Sequence, residues 1–291
     1  MSDGSGGTGV QVLPLRGSGP LLSIVEGDGF ARAVIWPGTG ATKRSVHLIQ
    51  LTPSSGTVRL EHRAESVYYV LGGSGTVVGD GPSAVTQLTP GSMVHVGPGT
   101  GYRFVADTSG LEIFGGPCPC DPAIYYGGPD NAEGGAHGSR TGQAGRAPSL
   151  PIKVLHQDEP ALMLPLISAD ARMIVWPGIG AWTATMNYVR MRPGEENTAH
   201  THEESEDTIV IIEGHGSIDD LTNGKTHEFR AGDVIHVPVK LRHAVRANRG
   251  ENVVSVGGPC PADLPFLRLC GAEIPDRDEP VPGPPPHHGV L

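Results

Sequence analysis

The sequence predicts an all-β protein built as two small β-barrels in tandem, and three observations carry that expectation. Gly and Pro number 43 and 27 in 291 residues, which punctuates the chain too often for long helices. Between them lie short β-branched and aromatic runs, such as Ser66-Val-Tyr-Tyr-Val-Leu71 and Thr208-Ile-Val-Ile-Ile212, with the length and composition of strands. Finally, the chain repeats itself once. Ala31-Arg-Ala-Val-Ile-Trp-Pro-Gly-Thr-Gly-Ala41 returns 140 positions later as Ala171-Arg-Met-Ile-Val-Trp-Pro-Gly-Ile-Gly-Ala181, and Gly115-Gly-Pro-Cys-Pro-Cys-Asp121 returns 142 positions later as Gly257-Gly-Pro-Cys-Pro-Ala-Asp263. Two matches in one order at nearly one offset mean two copies of one domain.

The first copy is expected over residues 1–126, with strands at 66–71 and Ser92–Val96. Residues 127–149 hold too little apolar surface to order themselves and are expected to be a Gly-rich linker. The second copy is expected over 150–274, with strands at 208–212 and Asp233–Val237. Residues 275–291 form a Pro-rich, extended tail whose His287-His288 pair is read as solvated. Strands ended by glycine and proline every 8–12 residues belong to sandwiches and barrels.

Lys and Arg total 21 against 31 Asp and Glu, a net charge of −10. Neither nucleic acid nor an anionic membrane is drawn to such a surface. No run approaches 18 apolar residues, so no membrane span is expected. The Met1-Ser-Asp-Gly start lacks a basic region followed by an apolar one, so the expected location is cytoplasmic. Cys118, Cys120, Cys260 and Cys270 are too few for a disulfide scaffold and are expected as reduced thiols.

The chemistry is concentrated in the second copy, in Gly194-Glu-Glu-Asn-Thr-Ala-His200-Thr-His202-Glu-Glu-Ser-Glu-Asp207 and onward to Gly214, followed by His243. Residues i and i+2 of an extended strand point to one face, so His200 and His202 project side by side. Three imidazoles and one carboxylate suit a divalent transition ion. The carboxylate is an acidic residue that follows the pair after a short turn.

These residues resemble the cupin superfamily, whose first motif is G-x5-H-x-H-x3,4-E-x6-G and whose second is G-x5-P-x-G-x2-H-x3-N. The resemblance covers both repeats and implies a bicupin of two double-stranded β-helix, or jelly-roll, barrels. It implies His200, His202, Asp207 and His243 as metal ligands, with the adjacent Glu206 as rival to Asp207, which is favoured because alternation sets Ile209 and Ile211 on its face. Asp stands where the family usually has Glu, Lys240 replaces the family glycine and Ala247 the final Asn. In the first copy the ligand positions fall on Leu60, His62, Ser66 and Tyr102, too few donors for an ion.

Arg32/Arg172, Trp36/Trp176, His95/His236 and Cys118/Cys260 occur in both halves. They are therefore read as scaffold or as the interface between the barrels. Trp182, Tyr188 and Arg190 are peculiar to the second half and are the candidates to line its pocket. Tyr188, Arg190 and Glu206 are carried as catalytic candidates, with Glu213 as a further acid or base. The resemblance implies one divalent metal, with Fe(II) favoured over Mn(II), Zn(II) or Ni(II). The favoured reading is an Fe(II) dioxygenase or oxidoreductase of a small chelating organic substrate, with O2 as co-substrate. The alternatives are a Mn- or Zn-dependent isomerase, lyase or decarboxylase, and a non-enzymatic binding or storage bicupin. A chain of two barrels suits a monomer or a homo-oligomer.

Overall fold

A computed structural model describes residues 9–81, 84–126 and 152–277. The expected linker at 127–149 lies outside the described residues, as do 278–291 of the expected tail with His287 and His288. Among the described residues nearly all regular structure is antiparallel strand, and no helix is long and apolar enough to cross a membrane. Two jelly-roll barrels sit side by side, as the repeat requires.

In the second barrel one sheet runs in the order Gln11–Pro14, Asp233–Val237, Glu206–Glu213, Val253–Cys260, Met186–Met191, Asp170–Val175 and Leu162–Met163. The facing sheet is Lys225–Arg230, His215–Asp220 and His243–Ala247. In the first barrel the strands Glu65–Gly79 and Tyr102–Cys118 are long enough to bend from one face of the barrel to the other. The bend comes at Gly73, which has φ 73° and where a Cβ would stand 2.1 Å from the Gly110 carbonyl oxygen. Its counterpart Gly214 has φ 81° and a Cβ there would meet the Asn252 oxygen at 2.1 Å. Only glycine fits both the left-handed backbone and the close approach, which gives the last glycine of the first motif its physical reason.

Strand pairing crosses between the repeats. Gln11–Pro14 pairs with Asp233–Val237 of the second barrel, and Lys153–His156 pairs with Ser92–Val96 of the first. Each copy thus lends its first strand to the other, so sheet membership does not follow the boundaries expected at 126 and 150.

Three apolar clusters result. One fills each barrel, and the third, containing Val67, Tyr69, Phe114, Tyr188, Val210 and Val256, lies between them. Runs such as 66–71 and 208–212 are apolar without interruption because both their faces are buried. Val67 and Tyr69 face the partner barrel while Tyr68 and Val70 face inward; Val210 faces the partner while Ile209 and Ile211 face inward.

A reciprocal polar clasp crosses this interface. The Glu65 carboxylate of the first barrel accepts the main-chain N–H groups of Trp182 (2.9 Å), Thr183 (2.7 Å) and Ala184 (2.9 Å). The Glu206 carboxylate of the second accepts those of Thr42 (2.9 Å), Lys43 (3.0 Å) and Arg44 (3.3 Å), with the Thr42 hydroxyl at 2.8 Å. His95 stands 3.6 Å from Glu65, and His236 stands 3.4 Å from Glu206. Burial alone would raise both carboxyls; the histidines and the donated N–H groups outweigh it and hold them below the usual range. This is what His95 and His236 do in both halves.

Candidate metal centre

The site is assembled by two segments of the second barrel that meet backbone to backbone. The His200 N–H donates to the His243 carbonyl (3.1 Å) and the His243 N–H donates to that of His200 (3.0 Å). The Lys240 N–H, at 2.7 Å, donates to the His202 carbonyl. Lys240 has φ 65°, the left-handed conformation, and its counterpart Gly99 has φ 67° and donates to His62 O at 2.7 Å. The turn therefore keeps the shape of a glycine turn although a lysine occupies it.

The ligand atoms of His200, His202 and His243 all lie within 4.8 Å of one another. Each ring is fixed by its other nitrogen. The Nδ1 atoms face acceptors: Thr198 O for His200 (2.8 Å), Asp263 Oδ2 for His202 (2.6 Å) and Leu241 O for His243 (3.1 Å). A carbonyl or carboxylate only accepts, so Nδ1 carries the proton and Nε2 keeps a lone pair for an ion. Burial, and after it the neighbouring imidazoles, hold His243 down to about 3 and lower His200 as well. His200 and His243 are thereby held in the neutral form that a metal ligand needs.

Asp207 stands beside the three histidines. Its Oδ2 lies 3.9 Å from both His202 Nε2 and His243 Nε2, a spacing that adjacent ligands of one ion can adopt. Among the described residues, Asp207 Oδ1, His202 Nε2 and His243 Nε2 are buried without a hydrogen-bond partner. Buried polar atoms are rarely left so, and several converging on one point fit a divalent cation. Phe266, on the helix Leu264–Leu269, packs against His200 and His202 with ring centroids 5.1 and 5.8 Å away.

The first barrel has the same frame and different contents. Leu60 bridges to Tyr102 as His200 does to His243. Ser66 pairs with Val96 and Pro117 as Asp207 does with Val237 and Pro259. His62 alone remains, its Nδ1 2.9 Å from Asp121 as His202's is from Asp263. Tyr68 and Tyr102, buried and hydroxyl to hydroxyl at 2.5 Å, occupy the interior.

The structure carries three of the expected catalytic residues away from the site. Glu206 points from the opposite face of the strand to Asp207 and is committed to the interface clasp, which also removes it as a rival ligand. Tyr188 packs in the interface cluster under the Arg172 guanidinium, 4.7 Å from its ring centroid. Arg190 shares the Tyr188 face of Met186–Met191 and is exposed. Trp182 gives its main-chain N–H to Glu65, and Glu213 is exposed at its strand end. Asp263 was not a sequence candidate. Its signal was the aspartate ending the repeated Gly-Gly-Pro-Cys-Pro segment in both halves. Burial would raise its carboxyl, but the hydrogen bonds from His202 and from the Phe266 N–H hold it below the usual range.

Residues 187–256 match the cupin domain family model, the span that runs from Asn187 through the histidines to the last strand. The chain is similar to the polyketide synthase CurC of Streptomyces cyaneus, with 33% identity over 78 residues, 26% of this chain and 49% of that protein. It is also similar to germin-like protein subfamily 2 member 1 of Arabidopsis thaliana, with 26% identity over 115 residues, 38% of this chain and 52% of that protein. The chain spans about half the length of these curated relatives. Among solved structures, two variants of Bacillus subtilis oxalate decarboxylase superpose with TM-scores of 0.59 and 0.60 at 15% identity, covering 84% of this chain and 78% of that one. At that identity the likeness is one of fold. Residues 187–256 thus carry a cupin domain across the histidines, and the whole chain has the fold of two tandem jelly rolls.

Proposed function

We propose that the chain is a metal-dependent enzyme working in its second barrel alone, and that it decarboxylates or cleaves a small organic acid chelating the ion through two oxygens. The carrying observation is the set of three imidazoles, each with Nδ1 against an acceptor, whose ligand atoms converge beside Asp207, where Oδ1 has no hydrogen-bond partner among the described residues. A divalent ion held there supplies Lewis-acid polarisation of the substrate oxygens. His200, His202 and His243 hold it, and Asp207 offsets part of its charge. The barrel wall around them, including Ile211, Leu241, Val245 and Phe266, is apolar and excludes water. A carboxylate is poorly solvated in such a cavity and neutral carbon dioxide is not, so the wall favours its loss. Tyr188, Glu206 and Glu213 point elsewhere, which leaves no acid–base role for them. The oxalate decarboxylase folds and the polyketide synthase relative support an acid or keto acid as substrate, whereas no relative named above carries the dioxygenase activity expected from the sequence.

The test loads metal-depleted protein with Mn(II), Fe(II) or Zn(II) and follows carbon dioxide release from oxalate and from β-keto acids, with and without O2. The expected result is release matching substrate loss without net O2 consumption, abolished in His243→Ala. Consumption of one O2 per substrate would overturn decarboxylation in favour of dioxygenation. Failure to take up any of the three metals would leave a binding protein.

A further inference from the structure

The clasp between the barrels is reciprocal in its main-chain bonds and breaks that symmetry at one side chain. The Arg44 N–H donates to Glu206 where, in the other direction, the Ala184 N–H donates to Glu65. Glu206 precedes Asp207, and Glu65 precedes Ser66, which holds the Asp207 position in the first barrel. The arginine therefore reaches toward the barrel that keeps its carboxylate, and an alanine toward the one that has lost it.

The Arg44 side chain is fully buried. Its Nη1 donates to Thr185 O (2.8 Å), Gly258 O (3.3 Å) and Cys260 Sγ (2.8 Å), all in the second barrel. Gly258, Pro259 and Cys260 pair in register with Thr208, Asp207 and Glu206. The guanidinium thus lies against the interface face of a strand pair whose opposite face carries Asp207 into the barrel. Among the described residues, its Nε and Nη2 have no hydrogen-bond partner, and Glu206 takes the main-chain N–H of Arg44, not its guanidinium. A guanidinium keeps its proton, so a full charge is held in the interface at a cost that an apolar side chain would not carry. Stability gives no reason for an arginine at this position.

We propose that Arg44 is a positioning residue of the metal centre, a fixed cation lent by the first barrel that acts on the ion through Asp207. The proposal rests on the metal-dependent function of the second barrel. Asp207 stands between two positive groups, the guanidinium behind its strand and the ion in front of it. Its charge is divided between them. Less of it is left to neutralise the ion, which keeps more charge for polarising substrate oxygens. The guanidinium therefore weakens binding of a divalent ion and disfavours its trivalent state. A tie that only held the Thr185 and Gly258 carbonyls would act in the opposite sense, because losing it would loosen Asp207 and weaken the ion's hold.

The experiment titrates metal-depleted parent, Arg44→Met and Arg44→Gln with Mn(II) by calorimetry, and measures the Fe(III)/Fe(II) midpoint potential of the iron-loaded proteins. Both variants remove the charge; Gln keeps an N–H donor for the carbonyls and Met does not. The expected result is Mn(II) binding about tenfold tighter in both variants, with a midpoint potential below that of the parent. The tightening should persist at high salt, because buried charges are screened weakly. Unchanged or weaker binding in both variants would overturn the proposal. Weaker binding in Arg44→Met with parent-like binding in Arg44→Gln would also overturn it, in favour of the carbonyl tie. Should Arg44→Met fail to fold, Arg44→Gln decides alone. A folded parent that takes up no metal would refute the metal-dependent function itself, and this role of Arg44 with it.

Discussion

Asp263 gives the sharpest test of whether the three imidazoles are preset for an ion. Its two oxygens serve two donors: Oδ2 takes the His202 Nδ1 proton at 2.6 Å, and Oδ1 takes the Phe266 N–H at 3.0 Å, capping the helix that packs on the histidines. Asp263→Ala removes both. Loss of the outer partner of a ligating histidine costs about 10- to 100-fold in metal affinity, or about 1.4–2.7 kcal/mol, and loss of the cap costs about 1 kcal/mol of stability. Asp263→Asn has one acceptor for the two donors. If its oxygen serves Phe266, its amide faces His202 Nδ1 and drives the ring proton onto Nε2, where it blocks the ion. Calorimetric titration with Mn(II) or Zn(II) reads the affinity, and thermal unfolding of metal-free protein reads the cap. A dissociation constant for Asp263→Ala within about twofold of the parent would refute the reasoning, since packing alone would then orient His202.

Three further outcomes follow from the same geometry. Glu206→Ala should leave three main-chain N–H groups of residues 42–44 without their acceptor and lower stability by about 3 kcal/mol with metal uptake unchanged, whereas Asp207→Ala should lose the metal; denaturant unfolding with elemental analysis checks the pair. Lys240→Gly should stabilise by about 1 kcal/mol, because it relieves a left-handed residue at φ 65°; an unchanged unfolding midpoint would show the turn relaxed in solution. His47 is held down to about 3 by burial and by His62. The unfolded chain therefore binds a proton near pH 6.5 that the fold refuses, so His47 contributes stability above pH 6.5 that is lost as pH falls toward 3. His47→Asn should flatten the dependence of stability on pH in that window by up to about 1.4 kcal/mol per pH unit.

The sequence alone determined the all-β class, the doubling of the domain, and the His200, His202 and His243 cluster. These are written in local spacing: turn residues, a repeat at nearly constant offset, and an i, i+2 pair on a strand. Period-two alternation also favoured Asp207 over Glu206. It could not say what Glu206 does, because its strand is buried on both faces and hydrophobicity does not distinguish barrel interior from barrel interface. For the same reason Tyr188 and Arg190 read as pocket residues although they point outward from the second barrel. The exchange of Gln11–Pro14 and Lys153–His156, the tie of Asp263 to a histidine 61 positions away, and the insertion of Arg44 beside Cys260 were decided by tertiary structure only. Each joins segments remote in the chain, and such contacts form when two barrels bury a common face, an energy that no local pattern encodes.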